Sequence, residues 1–150
     1  MTWPTRKPRR KKAIARDPVT RRILQPSEHV IQVRLLNALK LLAAPGVIAF
    51  AVPNAAKRSV QMAIKMQAEG LLPGVADLCI MMPGGRVGWL ELKKTQPRGK
   101  LSPAQRAFGE TCKSLGHPWA CAWSVQEALV YLRAWGALRE GVTDLMEAAE

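Results

Sequence analysis

Residues 73–94 read PGVADLCIMMPGGRVGWLELKK, and the fold follows from how this stretch is read. Two short apolar runs flank a Pro83-Gly84-Gly85 turn, the pattern of an antiparallel hairpin. Each run carries one acid, Asp77 near the start of the first and Glu91 near the end of the second. In an antiparallel pair the start of one strand lies beside the end of the other, so Asp77 and Glu91 become neighbours. Adjacent bare carboxylates repel each other unless a cation joins them. Lys93 is one candidate, because side chains alternate along a strand and Glu91 and Lys93 share a face. A divalent metal ion with oxygen ligands is the other.

These residue types suit phosphodiester hydrolysis. The attacking water must lose a proton near neutral pH, and charge builds on the phosphoryl oxygens. A hard divalent cation serves both needs. Mg²⁺ takes oxygen ligands and requires only one or two protein carboxylates, which Asp77 and Glu91 supply. The backbone carbonyl of Leu92 is placed to add a third oxygen. Lys93 can orient the water or stabilise developing negative charge. Without clustered His and Cys, Mg²⁺ or Mn²⁺ is favoured over zinc. The competing reading is structural, with Asp77 capping a turn and Glu91 and Lys93 as surface charges.

At 150 residues the chain reads as one domain, able to bury roughly 70% of its unfolded surface. No apolar window is long enough for a membrane span. Three widely spaced cysteines, Cys79, Cys112 and Cys121, suggest neither a disulfide framework nor a zinc site, and a cytoplasmic location is expected. The net charge is +12. Basicity concentrates at the start, where the first 22 residues hold nine basic side chains against one acid, Asp17. This arm, residues 1–25, includes the run Arg9, Arg10, Lys11 and Lys12 and is expected to be flexible without a partner. Such an arm suits a phosphate backbone, and it also fits a solubilising or address tail.

Downstream, Ser27 predicts the cap of a helix with Val30, Ile31, Leu35, Ala38, Leu39 and Leu42 on its apolar face. From spacing alone Glu28 is an ordinary first-turn acid. Residues 47–52 (VIAFAV) predict a strand and, being apolar throughout, an interior one. Lys57-Arg58 follows on a loop and fits either a phosphate site or a solvated turn. Ser59 predicts a second helix, to about Glu69. After the hairpin, Lys94, Arg98 and Lys100 make a basic loop that emerges from the proposed site and is well placed to touch nucleic acid. Ser102-Pro103 opens a third helix with Gln105 in its first turns. Trp119–Trp123 predicts a last strand, Ser124 caps a fourth helix to about Ala137, and residues 141–150 form a short acidic tail. The order α-β-α-β-β-α-β-α predicts a layered α/β domain with a small mixed sheet.

The segment Asp77…Glu91-Leu92-Lys93 resembles the signature of the PD-(D/E)xK nuclease superfamily. More narrowly, residues from about Ser27 to Ala128 resemble the VRR-NUC domain. The matching features are Glu28-x-x-x-Gln32, Val52-Pro53-Asn54 with Lys57-Arg58, Pro73-Gly74-Val75-Ala76-Asp77-Leu78, Gly84-Gly85-Arg86, Glu91-Leu92-Lys93, and Leu101-Ser102-Pro103-Ala104-Gln105 ahead of Gly116. One departure is Ala76, where the family often has proline.

The resemblance implies a restriction-endonuclease-like core over residues 26–140 and a Mg²⁺-dependent nuclease acting on DNA. It assigns Asp77 and Glu91 as metal ligands and Lys93 as the catalytic lysine. It also raises Glu28 and Gln105 to active-site residues. Stand-alone domains of this family resemble structure-selective endonucleases that act as homodimers on branched DNA such as four-way junctions. Two symmetric cuts need two copies of a one-site domain. Leu129, Val130, Leu132, Trp135 and Leu138 are candidates for a dimer surface or, more simply, for the core. The competing functions are a non-catalytic basic DNA-binding protein, an exonuclease and a restriction-type nuclease. A mere binder gains nothing from carboxylates facing phosphate.

Overall fold

A computed structural model describes residues 26–53 and 59–141. Arg9, Arg10, Lys11, Lys12, the pair Lys57-Arg58 and the tail beyond residue 141 lie outside the described residues. The elements run α1 (Glu28–Leu42), β1 (Ile48–Ala51), α2 (Val60–Ala68), β2 (Leu78–Met82), β3 (Arg86–Leu92), α3 (Pro103–Ser114), β4 (Trp119–Ala122) and α4 (Val125–Ala134). This is the order the sequence predicts. Each helix starts where a serine hydroxyl accepts an early backbone N–H: Ser27 from Val30, Ser59 from Met62, Ser102 from Gln105 and Ser124 from Glu127.

The sheet has the order β1-β2-β3-β4, antiparallel across the first three strands and parallel between β3 and β4. Gly84 and Gly85 both take positive φ in the hairpin turn, a backbone shape that side chains with a β-carbon disfavour. Arg86 ties the hairpin to α4, donating from Nη1 to the Trp135 carbonyl at 2.8 Å. That carbonyl sits at a helix C-terminus, where a cation is favourable.

One sheet face carries Leu78, Ile80, Leu90, Leu92, Ala120 and Ala122 and packs on Ile31, Leu35 and Leu39 of α1 and on Ala128, Leu129 and Leu132 of α4. The apolar residues of α4 thus serve the core, and of those proposed for a dimer surface Val130 alone is clearly exposed. The opposite face carries Trp89, Glu91 and Trp119. There α3 covers β3 and β4, with Phe108 edge-on to Trp89 at 5.3 Å. All three cysteines are free and buried.

The expectation that residues 47–52 form an interior strand is corrected. Among the described residues β1 is an edge strand paired only with β2, and Ile48 and Phe50 are 58% and 44% exposed. They point to the face that α3 leaves bare at this end, while Ala49 alternates onto the core. A continuous apolar run reports hydrophobicity on both sides of a strand, and position in the sheet decides how much of it is covered. No helix among the described residues is long and apolar enough to cross a membrane.

Gly109 lets α3 approach the sheet, since a β-carbon there would lie 2.8 Å from the Trp119 ring. Alanine is the better helix former by about 1 kcal/mol, but overpacking against a ring costs about 1–3 kcal/mol. Gly109→Ala is therefore expected to lower unfolding stability in a urea titration. A variant more stable than wild type would show that α3 moves freely over β4.

Candidate active site

The hairpin register pairs Leu78 with Leu90, which sets Asp77 and Glu91 side by side just beyond the last β2 residue pair. Asp77 is held from two directions. Its carbonyl accepts the Val52 N–H at 2.8 Å, and its Oδ2 accepts the Leu92 N–H at 2.9 Å. The Leu92 amide extends past the β2 ladder, so the carboxylate takes the place of a missing strand partner.

Glu91 is only 1% exposed. Its Oε1 accepts two hydrogen bonds, from Lys93 Nζ at 2.7 Å and Gln105 Nε2 at 2.5 Å. Its Oε2 is buried and has no partner. A buried carboxylate oxygen left bare costs free energy unless another group meets it. Gln105 does two jobs at once. Its Oε1 accepts the Ser102 N–H at 2.9 Å while Ser102 Oγ accepts the Gln105 N–H at 3.2 Å, forming a capping box. The amide is thereby fixed with its NH₂ toward Glu91. Gly74 makes this possible, because a β-carbon there would overlap the Ala104 carbonyl and crowd the Gln105 N–H.

Glu28 stands at the rim. Its Oε1 accepts the Lys94 N–H at 3.2 Å, and its charge acts on Asp77, Glu91 and Lys93. Burial, then the neighbouring Asp77 charge, push the Glu91 carboxyl up to about 7, against the opposing pull of Lys93. Burial also raises Asp77, despite the Leu92 N–H and Lys93. For Lys93, burial acts downward but is outweighed by the hydrogen bond and charge of Glu91, so its pKa rises and it stays cationic.

Asp77, Glu91, Lys93, Gln105 and Glu28 therefore lie together at the open end of the hairpin. Leu92 contributes its N–H to Asp77, and its carbonyl lies at the same strand end. Lys94 and Arg98–Lys100 flank them on the connecting loop. Among the described residues no cluster of three His, Cys, Asp or Glu forms a metal cage. Two carboxylates with one unpartnered buried oxygen fit an oxygen-loving ion such as Mg²⁺, which keeps part of its hydration.

Sequence reading missed Trp123 and Thr95. Thr95 Oγ1 donates to the Trp123 carbonyl at 2.6 Å, and Trp123 Nε1 donates to the Gly99 carbonyl at 2.9 Å. The two clamp the basic loop to the end of β4. The WACAW run hinted only at a strand.

A solved structure named VRR_NUC domain protein has a similar fold, with a TM-score of 0.58 at 18% identity, covering 73% of this chain and 87% of that chain. No family model matches the chain, and no curated protein does. The fold of this chain is thus a VRR_NUC-like mixed α/β arrangement.

A carboxyl with pKa near 7 when folded and near 4.5 as a free side chain binds more protons in the folded protein between those values. That contribution to stability is complete below about 4.5 and is lost as pH rises through about 7. In chelator, thermal unfolding of wild type relative to Glu91→Gln should fall from pH 5 to 8. Mg²⁺ should raise the wild-type midpoint more at pH 8 than at pH 5, since the metal displaces protons. A relative stability that is flat or rises with pH would show that Glu91 is not buried as described.

Proposed function

We propose that the chain is a metal-dependent nuclease hydrolysing DNA phosphodiester bonds, with Mg²⁺ as cofactor and Mn²⁺ as a substitute. The observation that carries this reading is the buried Glu91 carboxylate, with Oε1 fixed by Lys93 and Gln105 and Oε2 unpartnered. Its neighbour is Asp77. A structural ion pair would need neither the second acid nor the bare oxygen.

In this reading Asp77 and Glu91 hold the cation, with the Leu92 carbonyl as a further oxygen. The bound ion supplies Lewis acidity toward a phosphoryl oxygen and lowers the pKa of a coordinated water. The chain's own residues do the rest. Gln105 and Lys93 fix the Glu91 rotamer, so its free oxygen has one orientation. Lys93 keeps two further N–H donors beyond its bond to Glu91 and can orient water or stabilise charge on the phosphate. Glu28 holds the Lys94 end of the basic loop at the rim. The pattern supports PD-(D/E)xK-type chemistry, and the VRR_NUC-like fold agrees with it. We extend the reading to endonucleolytic cleavage of branched DNA, such as four-way junctions, by a homodimer. The support is the resemblance together with the need for two symmetric cuts.

The test compares wild type, Glu91→Gln and Lys93→Ala on labelled four-way junction, linear duplex and single-stranded DNA, with Mg²⁺ or chelator. Paired symmetric nicks in the junction are expected, requiring Mg²⁺ and falling at least about 100-fold in either variant while binding persists. Cleavage of duplex or free ends instead would replace the branched-DNA assignment. Binding without cleavage of any substrate by wild type would leave a basic DNA-binding protein.

A further inference from the structure

Beside the carboxylates lies a second feature that hydrolysis itself does not use. Arg98, Gly99, Lys100, Leu101, Arg106 and Trp123 line an open cavity of about 360 Å³. Three cations meet there without an acid in the lining. Among the described residues the ion pairs are Lys65–Glu69, Glu91–Lys93 and Glu110–Lys113, so none of the three cations is neutralised. Surface charges of one sign usually spread apart or mix with the other sign, and convergence of three costs mutual repulsion.

The backbone that carries these cations is held in place, and so is the Arg98 side chain. The Arg98 guanidinium carbon lies 3.9 Å from the centre of the Trp123 ring, a cation–π contact that seats the side chain against the wall. The loop carrying Arg98 and Lys100 is pinned by the Thr95 and Trp123 hydrogen bonds, by Lys94 N–H to Glu28, and by Gly99 N–H to the Lys94 carbonyl at 2.9 Å. Arg106 comes from the rigid α3. Pre-ordered side chains lose less entropy when a ligand arrives.

Position links this cavity to the chemistry. Gly99 lines it and also packs on Lys93, since a β-carbon there would lie 3.1 Å from Lys93 Cβ and 3.4 Å from Glu28 Oε1. One residue thus forms the wall between the basic cavity and the acidic site. We propose that Arg98, ordered by Trp123, forms with Lys100 and Arg106 a second subsite that holds a backbone phosphate of the DNA strand adjoining the one cleaved at Asp77 and Glu91. Two arginines and a lysine suit the charged oxygens of a phosphodiester. The subsite fixes the strand's register, so that the scissile phosphate meets the carboxylate end rather than sliding past it.

The inference rests on the nuclease reading for where the strand runs, and its test separates the two. DNA binding by the full chain is measured in chelator, where nothing is cut, across a range of NaCl concentrations. Wild type is compared with R98Q/K100Q/R106Q, three exposed substitutions. The triple variant should bind about tenfold more weakly or worse. Its plot of log affinity against log salt should be shallower by about 0.9 for each phosphate released. In a scan of oligonucleotides each carrying one neutral methylphosphonate, one position should weaken wild type and leave the triple variant unchanged, and where wild type cuts in Mg²⁺ that position lies beside the cut. An unchanged salt slope, or a methylphosphonate effect that persists in the variant, would overturn the subsite. The nuclease reading fails separately, if wild type binds with these dependences but cleaves no DNA in Mg²⁺.

Discussion

The site depends on a carboxylate buried at 1% exposure with only one of its two oxygens satisfied. An unpaired charge in a low-dielectric setting is costly, so the surroundings of Glu91 are best understood as what makes that cost tolerable. Lys93 supplies the opposite charge and Gln105 a neutral donor, both to Oε1. Gln105 is itself fixed by the start of α3, and α3 seats against the backbone at Gly74. The hairpin, the helix cap and the loop before Asp77 thus cooperate to hold one side chain. What they leave unfinished is Oε2, beside a second acid whose own Oδ2 is occupied by the Leu92 N–H.

Charge is arranged around this centre in layers. The inner layer is acidic, with burial raising both carboxyls and Lys93 partly compensating. The outer layer is basic and pinned, with Arg98 on Trp123 and the Lys94 amide on Glu28. An acidic pocket alone would repel a polyanion, and a basic rim alone would bind one without acting on it. In the proposed nuclease, the rim would attract the backbone while the pocket would concentrate a divalent cation where one phosphate passes. Separation by a single glycine, Gly99, keeps the two layers close.

The helices and the hairpin were legible in the sequence because their signals are local. Ser27, Ser59, Ser102 and Ser124 cap within three residues, and Pro83-Gly84-Gly85 closes a turn between apolar runs. The proximity of Asp77 and Glu91 followed from antiparallel pairing alone. The run at 47–52 misled because composition does not say which strand lies at the edge. Other parts were hidden by distance along the chain. Glu28 meets Lys94 across 66 residues, Thr95 meets Trp123 across 28, and Gln105 meets Glu91 across 14. Those contacts arise from packing α1, α3 and β4 around the hairpin. The resemblance to the VRR-NUC pattern, and not the spacing, brought Glu28 and Gln105 forward.

The most direct measurement is a crystal of the protein grown with Mn²⁺, with anomalous scattering used to locate the ion. A strong peak beside the Asp77 and Glu91 carboxylates, absent from Asp77→Asn crystals grown identically, is the result predicted. A peak elsewhere, or Oε2 occupied by a protein donor with no ion nearby, would contradict the assignment of these carboxylates as a metal centre.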